Sequence, residues 1–176
     1  MIEFLTVWKR DNISMETKNR IFKDLQALKA KVDAEKASGK KIVFTNGCFD
    51  ILHKGHVAYL DESRSFGDVQ VVAINADDSP FFRTKGPERP YVSQMNRAFM
   101  LAGLRSVDYV TFFSEETPLE VVKTLMPNVI TKASDYTIDT IVGAKEVIEN
   151  GGEAYAIPLV NGFSTTSLVE KIKKGV

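Results

Sequence analysis

Residues 42–56 read Ile42-Val43-Phe44-Thr45-Asn46-Gly47-Cys48-Phe49-Asp50-Ile51-Leu52-His53-Lys54-Gly55-His56, and this stretch decides the fold. The first three residues form an apolar run rich in β-branched side chains, which reads as a strand. A helical pattern over 55–66 follows and stops at Gly67. A strand, a tight turn and a helix N-terminus in succession are the elements that hold phosphates in open α/β sheets. Unpaired N–H groups and the helix dipole converge there. Gly47 and Gly55 let the backbone come close to a bulky anion. The only two histidines of the chain, His53 and His56, both fall in this turn. A lone histidine is most often a satisfied core or surface residue. Two of them, three apart and flanking a glycine at such a turn, point to chemistry.

Outward from this turn, strands and helices alternate. The pattern over 14–37 is helical, with Ile21, Leu25, Leu28 and Val32 on one face, Ser14 as N-cap and Glu16 in the first turn. Ser38-Gly39-Lys40-Lys41 ends it. Val69–Asn75 is a near-continuous apolar strand, as expected when both sheet faces are covered. Residues 76–90, with three prolines, read as a loop. Helices are predicted over 93–104 (capped by Ser93), 118–125, 138–149 and 165–174, and strands over 107–112, 129–131 and 154–158. Five strands alternating with helices predict an α/β fold with a Rossmann-like, doubly wound, five-stranded parallel sheet and right-handed crossovers. The expected organisation is an N-terminal helical extension over 1–38 and a catalytic domain over 39–176. Ligands should bind just past the carboxyl ends of the strands.

Bulk properties narrow the class. The chain has 176 residues, 44% hydrophobic and 26% charged, with zero formal net charge, which suits one globular domain. Lysine and arginine are scattered, so no nucleic-acid partner is expected. The single cysteine, Cys48, excludes an intrachain disulfide framework. No apolar run approaches the ~18 residues of a membrane span, and Glu3, Lys9, Arg10 and Asp11 interrupt any signal-peptide pattern. A cytoplasmic protein without membrane partners is expected. Phe4, Leu5, Val7 and Trp8 offer apolar surface for docking on the domain or on a second subunit, and a homodimer is expected.

Chemistry-bearing residues do follow the strands. After the second come Asn75 and Asp77, then Arg83-Thr84-Lys85-Gly86-Pro87-Glu88-Arg89-Pro90, readable as an anion clamp or as a solvated basic loop. After the fourth come Lys132, Ala133, Ser134 and Asp135. After the fifth comes Asn161-Gly162-Phe163-Ser164-Thr165-Thr166, either a helix cap or a phosphate cradle. Three hydroxyls exceed what a cap uses, so both can hold.

The register Thr45-x-Gly47-x-Phe49-Asp50-x-x-His53-x-Gly55-His56 resembles the nucleotide-binding motif of the cytidylyltransferase-like nucleotidyltransferases. These are related to class I aminoacyl-tRNA synthetases through a similar His-x-Gly-His element. Arg83-x-Lys85-Gly86-Pro87-x-Arg89-Pro90, a helix bearing Arg97, Lys132-x-x-Asp135-Tyr136 and Ser164-Thr165-Thr166 follow in the family's order, so the resemblance covers roughly 39–174. Glu116-Thr117-Pro118, the Lys132 motif and Asn150-Gly151-Gly152-Glu153 look most like the heptose 1-phosphate adenylyltransferases. This implies transfer of an adenylyl group from ATP to a sugar 1-phosphate, D-glycero-D-manno-heptose 1-phosphate. The products are pyrophosphate and the ADP-heptose used for the inner core of lipopolysaccharide. Mg²⁺ accompanies ATP, held by phosphates and water without a dedicated protein metal site.

The resemblance assigns catalysis to His53, His56 and Lys85. Nucleotide binding falls to Thr45, Asn46, Gly47, Cys48, Phe49, Asp50, Gly55, Asn75, Ser164, Thr165 and Thr166, with Asp50 organising the turn rather than attacking. Substrate binding falls to Asp77, Arg83, Arg97, Lys132 and Asp135. The chain departs from the family in Ala133-Ser134, where Gly-Gly is usual, which bears on sugar specificity. Leu159 and Val160 replace the arginine and threonine of glycerol-3-phosphate cytidylyltransferases, which counts against glycerol phosphate and CTP. Two alternatives stay open: a cytidylyl- or adenylyltransferase for another phosphorylated alcohol such as glycerol 3-phosphate, and a nucleotide-sensing protein without turnover.

Overall fold

The computed structural model describes residues 15–133, 137–158 and 162–175. Its centre is β2 (Val69–Asn75), buried along its whole length. Side chains alternate across a strand, and here both faces are covered. Val69, Val71 and Ala73 enter one core cluster, and Val72 and Ile74 the other. That is why the run is apolar without alternation. Gln70 and Asn75 are the polar exceptions: the Gln70 amide nitrogen donates to Leu60 O (3.0 Å) and Ser106 O (2.7 Å), and that of Asn75 donates to Ser79 Oγ (3.2 Å).

β1 (Ile42–Gly47), β3 (Tyr109–Phe113), β4 (Val129–Ala133) and β5 (Glu153–Ile157) complete a sheet of order β3-β2-β1-β4-β5. Every pairing is parallel. α1 (Leu25–Ala37), α5 (Leu119–Leu125) and α6 (Ala144–Glu149) cover one face through Leu28, Val32, Val122, Leu125 and Val147. α2 (Lys54–Arg64) and α4 (Gln94–Ala102) cover the other through Tyr59, Leu60, Ala98 and Leu101. The last helix, α7, spans Thr165–Lys174. The order reverses between β1 and β4, which makes the carboxyl ends of those strands the topological switch point.

Three expectations need correction. The helix expected over 14–37 is broken. Residues 15–18 make one turn, and Ile21 then leaves the helix to bridge Val110. Phe22 N donates to Val110 O and Val110 N donates to Arg20 O, both at 2.8 Å. The exposed edge of β3 supplies unpaired backbone groups, and satisfying them outweighs continued helix. α1 starts only at Leu25, where Asp24 accepts from Gln26 N (2.8 Å). The proposed cap Ser14 lies outside the described residues.

Second, the loop 76–90 contains a short helix, α3 (Pro80–Arg83), with Pro80 in its first turn, the one helical position that tolerates proline. Third, the helix expected over 138–149 is split into a 3-10 turn (Ile138–Thr140) and α6 by Gly143 at φ 89°. A Cβ at Gly143 would lie 2.8 Å from Val122 Cγ1, so close packing against α5 uses the glycine. Among the described residues no helix is long and apolar enough to cross a membrane.

Candidate active site

A cleft of about 560 Å³ opens at the carboxyl ends of the strands. Its floor is the β1 turn, Asn46 to Asp50, with His56 beside it. Asn75, Phe81, Phe82 and Lys85 border one side, and Lys132, Ala133, Thr165 and Thr166 border the other.

His53 occupies the N-cap position of α2, where its carbonyl accepts from His56 N (2.9 Å) and Val57 N (3.3 Å). The two imidazoles stack, with centroids 3.7 Å apart and planes 18° from parallel. Phe49 presents an edge to His56 at 5.1 Å. Phe49 itself is held at φ 48°, a left-handed conformation that a bulky residue adopts only where its surroundings impose it. Gly47 gives that ring room, since a Cβ there would come within 2.9 Å of it. Burial lowers the pKa of His53. Burial and the neighbouring His53 push His56 down to about 4. Both rings are therefore neutral at pH 7, each with one N–H and one lone pair. Nδ1 of each is buried and unpartnered. The arrangement that leaves no buried N–H unpaired puts the protons on Nε2. Each ring then has one hydrogen bond to donate.

Lys132 reaches across from β4 and donates to Asn46 O (2.9 Å) and Asn46 Oδ1 (2.8 Å). Burial pushes its pKa down to about 8, so an arriving anion would strengthen its hold on the proton. Cys48 is not a nucleophile in this setting, because burial raises its thiol to about 11. It donates weakly to Asn75 Oδ1 at 3.5 Å. Asp50 is 2% exposed and accepts from Arg89 Nη1 (2.6 Å), Tyr91 N (2.8 Å) and Val92 N (3.0 Å). These bonds tie the loop that carries Arg89 to the β1 turn.

The structure draws Lys85, Lys132, Thr165 and Thr166 together with the β1 turn and His56, and His53 joins them by stacking. Other candidates have different work. Thr45 is fully buried, its hydroxyl 2.6 Å from Tyr59 OH and 3.2 Å from Thr131 O, so it braces β1 against α2 and β4 beneath the cleft. Arg97 is 0% exposed and donates to Val92 O (2.8 Å), Cys48 O (2.7 Å), Asn75 O (2.9 Å) and Asp77 Oδ1 (2.6 Å). With four of its five N–H groups bonded to protein and no exposure to solvent, Arg97 is a strut rather than a substrate ligand, and Asp77 is its counter-ion. Arg83, at the end of α3, is exposed and does not border the cleft. Ser164 caps α7, accepting from Ser167 N at 3.0 Å, which leaves Thr165 and Thr166 as the two of these three hydroxyl residues that line the cleft. Gly55 admits a close neighbour: a Cβ there would lie 3.1 Å from the His53 ring and 3.2 Å from Phe163 Cβ. Asp135 lies outside the described residues.

Sequence reasoning missed Phe81, Phe82 and Thr140 as cleft residues, and it read Arg89 only as part of the possible anion clamp, which the cleft lining bears out for Arg89 and Lys85 but not for Arg83. The prolines around Arg89 hinted at a fixed loop. Its pairing with Asp50, 39 positions away, has no local signature.

The Cytidylyltransferase-like family matches over residues 44–171. The bifunctional protein HldE of Geotalea uraniireducens (strain Rf4) is 51% identical over 154 residues, 87% of this chain. The chain spans 31% of that relative's length. The crystal structure of the lipopolysaccharide core biosynthesis protein from Thermoplasma volcanium GSS1 is 28% identical with a TM-score of 0.57, covering 69% of this chain and 98% of that one. Pantoate-beta-alanine ligase from Francisella tularensis is 15% identical with a TM-score of 0.56, covering 88% and 76% respectively, a likeness of fold alone.

Proposed function

The chain belongs to the cytidylyltransferase-like family, and from that premise we propose that it transfers an adenylyl group from ATP to D-glycero-D-manno-heptose 1-phosphate, releasing pyrophosphate. The observation that carries this reading is the convergence, at the β1/β4 switch point, of neutral stacked histidines, the α2 N-terminus, Lys132 and two threonine hydroxyls. The heptose acceptor is supported by the Glu116-Thr117-Pro118 and Asn150-Gly151-Gly152-Glu153 motifs. The likeness to a protein of lipopolysaccharide core biosynthesis supports it too.

A phosphate oxygen of the acceptor attacks the α-phosphorus of ATP, and the bond to the β-phosphate oxygen breaks. The nucleophile is already an anion, so the protein supplies alignment and charge stabilisation rather than a nucleophile of its own. His53 and His56 donate N–H groups to oxygens that gain charge. The first-turn N–H groups of α2 add fixed positive dipole. Thr165 and Thr166 bind the β- and γ-phosphates, and Lys85 and Lys132 balance charge on either side of the reacting centre. Mg²⁺ enters as part of the nucleotide substrate. Among the described residues no group of three His, Cys, Asp or Glu could hold a metal alone, and a Mg²⁺ carried by phosphate oxygens and water needs none.

The test is pyrophosphate release with Mg²⁺, offering ATP, CTP and GTP against heptose 1-phosphate and glycerol 3-phosphate. Release with ATP and the heptose phosphate alone is expected. Release with CTP and glycerol 3-phosphate would overturn the specificity, and silence with every pair would overturn the activity.

A further inference from the structure

We propose that the outer face of α4 is the surface through which two copies of this chain pair. The pairing is independent of the reaction performed in the cleft. Met95, Asn96, Phe99, Met100 and Gly103 share the outward side of the helix and its C-cap, and all are exposed. Phe99 is 43% exposed. A surface helix normally turns charge to water, yet the only charged residue of α4 is Arg97, on its buried side. Single exposed apolar residues are ordinary, whereas three large ones on one face of one helix mark a contact surface.

Gly103 shows what covers this face. Every other described glycine is required by the folded chain itself. Each either sits at positive φ or has an atom no more than 3.1 Å from the place of its absent Cβ. Gly103 has neither reason. Its φ is −80°, and a Cβ there would only touch Met100 O at 3.4 Å and Phe99 O at 3.6 Å. Bare backbone at the end of an apolar face leaves room for a large side chain from outside. A fitting side chain is carried by the same helix. Met95 stands four residues before Phe99, and Gly103 four residues after it. Two α4 helices packed antiparallel about a two-fold axis at Phe99 set that ring against its own symmetry mate. Met95 of each copy then lies over Gly103 of the other, about 6 Å from the axis at a rise of ~1.5 Å per residue.

Charge follows the same symmetry. Beside Met95 is a hollow lined by Asp77, Asp78, Ser93 and Gln94. Asp77 is held by Arg97, but Asp78 accepts only from Ser114 Oγ (3.0 Å) and forms no ion pair among the described residues. At the other end of the helix, Arg105 lies two positions past Gly103. Its side chain pairs with Asp61 at 3.0 Å and is nevertheless 88% exposed. Six residues past Phe99, Arg105 falls opposite residue 93 of the other copy, at the rim of that copy's Asp78 hollow. The acidic end of each α4 thus meets the basic end of its mate. Shape and charge that complement themselves about one axis are what an isologous contact needs, and they favour a second copy over a foreign protein.

The test is sedimentation velocity over a concentration series for wild type, Phe99→Glu, Gly103→Gln, Arg105→Glu, and Arg105→Glu combined with Asp78→Arg. The patch is small, so a wild-type dimer with Kd on the order of micromolar is expected. Phe99→Glu and Gly103→Gln should each weaken pairing by about tenfold or more, while the urea midpoint of the dilute monomer stays unchanged. Arg105→Glu should weaken it by about threefold to tenfold, and adding Asp78→Arg should restore it. A wild type that stays monomeric throughout the series would overturn the pairing and leave the face to a different protein. Wild-type dimerisation in both Phe99→Glu and Gly103→Gln would overturn it by placing the contact elsewhere. Failure of Asp78→Arg to rescue Arg105→Glu would overturn the antiparallel register.

Discussion

Replacing Arg97 by lysine separates a buried strut from a substrate ligand. The guanidinium reaches four acceptors on three segments: Val92 O, Cys48 O, Asn75 O and Asp77 Oδ1. A lysine keeps the charge and can still meet Asp77. Its single nitrogen can take the place of Nη2, which serves both Asp77 and Asn75 O, but cannot span the rest, so the carbonyls of Val92 and Cys48 lose their partners. Each unpaired buried group costs about 1–3 kcal/mol. The lower part of that range applies to Val92 and Cys48, whose bonds are only partly buried. The expected loss for the two is about 2–3 kcal/mol, a large share of the roughly 5–15 kcal/mol by which domains are stable. A chain of this size loses about 2–4 °C of Tm per kcal/mol, so melting should fall by about 4–12 °C. Urea denaturation followed by far-UV circular dichroism reads the stability. Steady-state kinetics well below the melting range read the site, and the acceptor KM should change by less than about threefold, under the ~1–3 kcal/mol scale of a lost buried contact. An unchanged urea midpoint with a tenfold higher acceptor KM would refute the strut and return Arg97 to the substrate.

Other perturbations address the site and the fold. His56→Ala should lower kcat by ~10²–10³, the range for one lost transition-state donor, with the urea midpoint retained; full activity would remove His56 from the mechanism. Because the folded-state pKa of His56 is depressed from 6.5 to about 4, the unfolded chain binds the extra proton between those values. Stability should thus fall as pH drops through that window, and a His56→Gln variant should show a shallower slope in urea titrations at stepped pH. Lys132, with its pKa pushed down to about 8, should make kcat/KM for ATP decline above that pH, and Lys132→Met should lack this limb. Gly143→Ala forces a Cβ into a φ of 89° and within 2.8 Å of Val122, at a cost of about 1–3 kcal/mol; an unshifted urea midpoint would contradict the packing described for that turn.

The sequence by itself determined what short-range physics controls. The β1 turn, with its glycines, histidines and helix start, is legible because all its determinants lie within fifteen residues and each has a local conformational reason. The unbroken apolar run of β2 announces a strand covered on both faces, and the bounds of α7 follow from its cap and periodicity. What only the tertiary structure decided depends on which distant backbones meet. The strand order places Lys132 against Asn46, 86 positions away, and Arg89 against Asp50. The open edge of β3 draws residues 20–22 out of a helix their periodicity favours. Arg97 looks like an anion ligand in sequence, since an arginine after a basic loop carries no mark of its acceptors. Burial among three backbone carbonyls turns the same guanidinium into a strut. Residue type sets which hydrogen bonds a group can make, but the fold alone sets which partners are within reach and whether water can compete for them.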